Sequence, residues 1–272
     1  MKNSTAIFGM WLVMASAALA QPGFGENLKV YAAAVVKTPL TAIAAEYERS
    51  TGNSVTLIFD TAGSTAQRFQ TDAQASLLIT TVPLIRTGES SGALRDGVTI
   101  PVGSTVAAVA APPKAPKPDV STPEKLKAAL LGAKRIAVSD PARGATVGTH
   151  FMKVIEALGI KEQVQPKITF ASDGVATLRL VLDEGVDIGV SQSSEILQAS
   201  PDSMAGPFPK EFALATDFSL WMTRKAERSI RVRGSSDWIR ATMLWIRPAL
   251  SCKGFWPTRP APSPAQIGRA HV

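Results

Sequence analysis

Cysteine, histidine and tyrosine are nearly missing from this chain, at one, two and two of 272 residues. With Cys252 alone no intrachain disulfide can form, and the residues before it hold no thiol to oxidise, which suits an oxidising compartment. Metal sites built on Cys/His spacing are excluded on the same count, so no metal or other cofactor is expected. His271 lies near the end, and His150, close to the start of a helical pattern, reads as a packed or surface residue rather than a ligand or base. Walker A, Rossmann-glycine and H-E-x-x-H patterns are absent. Asp183 and Glu184 are adjacent at a helix end and point apart, unlike a catalytic carboxylate pair. The chain is not expected to be an enzyme.

Excess charge is also lacking over most of the sequence. The net charge is +7, yet from Arg224 onward ten Lys/Arg face two Asp/Glu, a surplus of eight that leaves the remainder at −1. No nucleic-acid partner is expected for so neutral a body. The terminal region also holds Trp238, Trp245 and Trp256 and is broken by Pro248, Pro257, Pro260, Pro262 and Pro264, with no sustained helical period. Residues 228–272 read as an atypical basic tail foreign to the fold; binding of this segment to nucleic acid or to a membrane surface is the competing reading.

The longest apolar stretch near the start, Ile7 to Leu19, follows Lys2 and ends in Ala18-Leu19-Ala20, an A-x-A cleavage pattern before Gln21. It is shorter than the ~20 residues needed to span a bilayer. Residues 1–20 therefore read as a cleaved secretory signal, and Gln21 in place of Cys gives no lipid anchor of the usual bacterial kind. The mature chain is expected to be soluble and exported.

Downstream, strand and helix patterns alternate, so an α/β architecture with a largely parallel sheet follows. Leu28 to Ala33 is a buried strand running into an Ala-rich turn. Thr38 is placed to cap the next helix, with Pro39 at its first position and Gly52 at its end. Leu40, Ile43, Ala44 and Tyr47 recur at helical spacing. Ser54 to Phe59 is a second strand, and Asp60 to Ser64 turns into another helix. Ala75 to Thr81 and Val106 to Ala111 are further strands, the latter after turns at Gly97 and Gly103. Past the stiff Pro112 to Pro118 linker come a helix from Ser121-Thr122-Pro123-Glu124, a strand at Arg135 to Ser139, and a small-residue loop from Asp140 to Thr146. A helix at Val147 to Leu158 and a strand at Lys167 to Ala171 follow. A helix at Val175 to Glu184 turns Val175, Leu178 and Leu182 inward, and Val186 to Ser191 is the last strand, before Gln192-Ser193-Ser194-Glu195. Successive strand ends deliver helix N-termini to one sheet edge, the place where open α/β sheets bind ligands.

The segments KVYAAAVVKTPLTAIAAEYERSTG, VTLIFDTAGSTAQ, ASLLITT, IAVSDPARGATVGTHFMKVIEALG and VATLRLVLDEGVDIGVSQSSEI resemble, in order and spacing, periplasmic solute-binding proteins of ABC importers, closest to the molybdate-binding family. The resemblance implies a two-lobed type 2 binding fold with two inter-lobe crossovers, near Gly103 to Val106 and near Gly206 to Phe208. Lobe 1 would comprise 21–104 plus 207–227, and lobe 2 would comprise 105–206. It further implies a periplasmic, monomeric receptor that closes over a small anion and presents it to an inner-membrane ABC permease. A sensing or buffering module for a small organic solute is the alternative.

In that family uncharged donors hold the oxyanion. The matching positions are Ala34 and Val35 after the first strand, and Thr61, Ala62, Gly63 and Ser64 after the second. Ala145, Thr146 and Val147, then Asp173 and Gly174, match at two helix starts, and Gln192 stands where the family has a tyrosine. Val35 and Ala62 occupy positions where the family carries serine, and Ser76 replaces an aspartate of the third strand. Backbone N–H groups survive these changes, while Thr61, Ser64 and Thr146 can add hydroxyls or merely cap helices. Gln192 can donate or accept, and Arg143 either neutralises an anion or stays solvated.

Overall fold

The computed structural model describes residues 27–232. The expected signal and the tail beyond Val232 lie outside the described residues. Strand β1 (Asn27–Ala33) runs into a 3-10 turn, Ala34–Val36, before α1 (Lys37–Thr51). That extra turn moves the helix start upstream, so Thr38 lies inside the helix rather than capping it. Gly52 ends α1 at φ 69°, a left-handed position that glycine adopts without Cβ strain. Leu40, Ile43, Ala44 and Tyr47 are all buried.

Next come β2 (Ser54–Asp60), α2 (Ala62–Gln70), β3 (Ala75–Thr81), α3 (Val82–Ser90) and the long β4 (Gly97–Ala110). The turns expected at Gly97 and Gly103 do not form; both glycines lie within β4. A Cβ at Gly97 would stand 2.2 Å from the Trp221 ring, so glycine here marks a close approach of an aromatic to a strand. Gly103 sits beside Phe218 at an irregularity in the ladder.

The second lobe holds α4 (Pro123–Gly132), β5 (Ile136–Ser139), α5 (Thr146–Ala157), α6 (Lys161–Val164), β6 (Ile168–Ala171), α7 (Gly174–Asp183), β7 (Ile188–Gln192), α8 (Ser193–Ala199) and β8 (Met204–Pro207). The chain then returns through residues 208–214 to β9 (Ala215–Thr223) and α9 (Arg224–Val232). Thr122 and Asp173 cap α4 and α7 through their side chains. On α7 the buried residues are Thr177, Leu178 and Val181; Val175 and Leu182 are only half-buried, because the helix meets the sheet one step round from the expected stripe.

The sheet order is β2-β1-β3-β9-β4-β7-β5-β6, with β8 beside β4. It is mixed rather than largely parallel. β1 is parallel to β2 and β3, and β5 to β6 and β7, but β9 is antiparallel to β3 and β4, and β4 to β7 and β8. The physical reason lies in β4 and β9, which carry the chain out of one lobe and back again in opposite directions. β4 pairs with β9 from Gly97 to Val106 and with β7 from Ala107 to Ala110, so one strand belongs to both lobes.

Each lobe has its own core. One gathers Val30, Leu40, Tyr47, Ile79, Val102 and Leu220; the other gathers Leu126, Ile136, Val138, Phe151, Ile155 and Val190. The fold continues beyond Glu227, for α9 buries Ala226 and Ile230 in the first core.

Candidate functional site

The ends of β1 and β2 in lobe 1 and of β5 and β7 in lobe 2 open onto the cleft between them, and helices α2, α5 and α7 begin there. A cavity of about 40 Å³ lies at their meeting point. One water needs roughly 10–15 Å³ on the same measure, so the space suits a ligand of a few heavy atoms. Eight of the ten residues singled out from sequence line it: Ala34, Val35, Thr61, Ala62, Thr146, Val147, Gly174 and Gln192. They reach it from both lobes, although Ala34 and Gln192 are separated by most of the described chain.

Gly63 and Ser64 do not line the cavity. The Gly63 amide donates to the Gly144 carbonyl at 3.1 Å, and the Ser64 amide donates to the Thr61 hydroxyl at 3.2 Å. Both are thus committed to lobe contact and helix capping. Thr61 does two jobs: its hydroxyl caps α2 and also donates to the Arg143 carbonyl of the opposite lobe. Arg143 turns away from the anion role considered for it. Its Nη2 donates to both Asp60 carboxylate oxygens, at 2.7 and 2.9 Å, and its Nε donates to the Ser172 carbonyl. Gln198 on α8 adds a further inter-lobe contact, donating to the Val35 carbonyl at 3.2 Å. The lobes are therefore closed on one another.

The walls are apolar at Ala33, Val35, Ala145, Val147 and Phe218 and polar at the helix starts. A helix N-terminus offers unpaired N–H groups and the positive end of the peptide dipoles, so α2, α5 and α7 together favour an anion without any cationic side chain. Val35 is 3% exposed and adds a methyl surface where a hydroxyl would have given a donor.

Three carboxyl groups also line the cavity, those of Asp60, Asp173 and Glu195, and of these only Asp173 stood among the positions matched from the sequence. Asp60 is held by Arg143, and Asp173 accepts from the Ala176 amide at 2.8 Å as the α7 cap. Glu195 is different. Its Oε2 accepts from the Ser191 hydroxyl at 2.6 Å and from the Gln192 amide at 3.2 Å, with no cation beside it. Burial, opposed by those two hydrogen bonds and reinforced by the Asp173 charge, pushes its pKa up to about 7. A Cβ on Gly174 would come within 2.1 Å of Glu195 Oε2, so only glycine lets the carboxyl lie against the start of α7. The helix-start spacing Gln192-x-x-Glu195 was the signal in the sequence that could have found it.

Other chemistry-bearing residues stay outside. His150 faces the Phe212 carbonyl through Nε2 at 2.8 Å. Gly88-Glu89-Ser90-Ser91-Gly92 spells G-x-S-x-G, but Ser90 ends helix α3 instead of standing on a strand-to-helix elbow, so the pattern has no nucleophile geometry. Among the described residues no group of three or more His, Cys, Asp and Glu side chains is placed to hold a metal ion. No helix among them is long and apolar enough to cross a membrane.

Two α/β lobes, a shared crossing strand and a small cleft ringed by helix starts define a solute-binding protein of the type 2 periplasmic fold. The chain belongs to the bacterial extracellular solute-binding protein family, whose model matches residues 28–234. Among solved structures it is similar to the periplasmic molybdate-binding protein of Azotobacter vinelandii (17% identity, TM-score 0.58, covering 80% of this chain and 97% of that one). It is also similar to the substrate-binding domain of a putative molybdenum ABC transporter from Clostridium difficile (19%, 0.50, 85% and 94%). The reduced regulatory domain of OxyR2 from Vibrio vulnificus shares the fold as well (12%, 0.52, 86% and 100%). No curated protein sequence matches the chain.

Proposed function

We propose that this chain is an exported, non-enzymatic receptor that closes two lobes over a small anion and delivers it to an ABC permease. The observation that carries the reading is the convergence of three helix N-termini on a cavity of about 40 Å³, closed by contacts from both lobes. Lobe 1 takes residues 27–104 and 207–232, and lobe 2 takes 105–206. The donors assigned to the ligand are the backbone amides at Ala34-Val35, Ala62, Thr146-Val147 and Gly174, with Gln192 supplying a polar side chain. Cleavage after Ala20 would release a soluble periplasmic monomer. Two of the similar structures are described as molybdate-binding or from a molybdenum transporter, and this likeness supports trying oxyanions first.

Calorimetric titration of the purified chain with oxyanions and small carboxylates tests the reading. Binding that persists at high salt is expected, because buried oriented dipoles are screened less than surface charges; absence of binding to every small anion would refute it. A second reading, a sensing module uncoupled from transport, is favoured by the likeness to a regulatory domain. Anion uptake in cells lacking the chain separates the two, since only the receptor reading requires uptake to fall.

A further inference from the structure

Lobe 1 carries a second cavity, a half-open groove of about 430 Å³ between helix α3 and strands β4 and β9, against about 40 Å³ in the cleft. Its origin is a mismatch in side-chain size. Val82, Ile85, Arg86 and Glu89, at i, i+3, i+4 and i+7, form one stripe of α3 along the groove. The sheet beneath them answers with small residues. Pro101 pairs with Ser219 and Ser104 with Asp217, and the irregularity between Pro101 and Gly103 leaves Val102 in the core with Leu220 rather than under α3. One step along the same face of β9, Trp221 packs with Ile85 and fills the space; at Ser219 and Asp217 no large side chain does so. The charges around the groove are not paired with one another. Glu89 accepts from the Thr99 hydroxyl at 2.9 Å through Oε1, and Asp217 accepts from the Ser104 hydroxyl through Oδ1. The second oxygen of each carboxylate and the whole Arg86 guanidinium have no hydrogen-bond or ion-pair partner among the described residues. These three groups are exposed at the rim, while Ile85 and Ser219 at the base are buried.

We propose that this groove is a second binding site, for a small zwitterion of the free amino-acid type, its carboxylate on Arg86, its ammonium between Asp217 and Glu89, and its apolar side chain against Val82, Ile85 and Pro101. The volume lies in the range of small-molecule sites, and an apolar wall with a few convergent polar groups is their usual make-up. A guanidinium takes a carboxylate through two parallel N–H bonds, and an ammonium has three donors to spread over the free carboxylate oxygens. A simple anion meets two carboxylates here and a simple cation meets Arg86, so a ligand bearing both charges is the one that satisfies all three groups. The site is separate from the cleft and stands whether or not the cleft takes an anion. Its occupant rests on β4 and β9, the strands that join the lobes, and Phe218 lines both cavities.

The test uses four probes that remove one element of the match at a time. L-leucine carries all of them; 4-methylpentanoate lacks the ammonium, 3-methylbutylamine lacks the carboxylate, and glycine lacks the apolar side chain. Calorimetry on the full chain should show leucine binding with a Kd of about 1 mM or tighter and each of the others about 5-fold or more weaker. Arg86→Gln and Asp217→Asn, both near-isosteric and at exposed positions, should each weaken leucine about 5-fold and leave the melting temperature unchanged. Added salt should weaken leucine as well, because these charges face solvent. No leucine binding, or binding no tighter than that of either single-charge probe, would overturn the proposal. Leucine bound equally well by the parent and both variants would overturn it too, by placing the amino acid elsewhere. Should one variant fail to fold, Glu89→Gln takes its place, with the same 5-fold loss expected.

Discussion

Arg143 reaches across the cleft and places one guanidinium nitrogen 2.7 and 2.9 Å from the two carboxylate oxygens of Asp60, joining the loop after β5 to the end of β2. The Asp60 side chain is one-tenth exposed, and its other cationic neighbour, Arg68, stands back at 3.7 Å. An arginine that sequence alone left between ligand binding and solvation is thus a latch between lobes.

Removing that latch should open the cleft. Arg143→Ala leaves Asp60 buried beside a distant cation, a penalty of about 1–2 kcal/mol against closure given the partial exposure of the arginine. Small-angle scattering should report a larger radius of gyration, and anion affinity should fall about 10-fold. An unchanged radius would show that the pair does not govern closure.

Gly63 and Gly144 should tolerate nothing larger. A Cβ on Gly63 would lie 2.7 Å from the Gly144 Cα, backbone against backbone, and Gly144 itself has φ +71°. Gly63→Ala must therefore hold the lobes apart. Ligand affinity is expected to drop by at least the effect of Arg143→Ala, while thermal unfolding without ligand stays close to that of the parent. A large loss of melting temperature would instead show that the contact supports the fold.

Glu195 gives the folded chain a proton linkage. Its pKa is about 7 in the fold against an ordinary value of 4.5, so between these pH values the folded state holds more protons than the unfolded one. Stability from this group is therefore highest below the lower value and declines as pH rises towards 7, by on the order of 3 kcal/mol in all. The negative charge of Asp173, which caps α7, adds to the upward push on Glu195. Glu195→Gln should flatten this segment of the melting profile; an unaltered slope would assign it to other groups.

Val35 is the remaining lever on specificity. Val35→Ser would add a hydroxyl to a wall that is otherwise apolar, and should strengthen molybdate binding by about 10- to 100-fold. No change would mean that this residue does not touch the ligand.

Much of this was legible in the residues. Thr61 before Ala62 announced a capped helix, Gly52 a helix end, and Ala75 to Thr81 a buried strand, because each signal is local and backbone chemistry dictates it. The positions gathered at the cavity followed from strand ends meeting helix starts. What failed depended on partners far along the chain. Gly97 looked like a turn because Trp221, which requires its missing side chain, lies on another strand. β9 went unmarked, and with it the mixed direction of the sheet. The Asp60–Arg143 pair joins residues 83 positions apart, and Glu195 gains its character only from burial against Gly174.

The place of β9 between β3 and β4 also sets an order of assembly. Lobe 2 is built from one unbroken stretch of chain and can consolidate as soon as that stretch is available. Lobe 1 has a gap in the middle of its sheet until Ala215–Thr223 arrives, so β3 and β4 each keep an open edge while more than a hundred residues are synthesised. Such edges pair readily with other chains. Truncation before β9 should therefore yield an aggregating fragment rather than a smaller receptor, and the last strand to be made is the one that turns two half-sheets into a hinged pair.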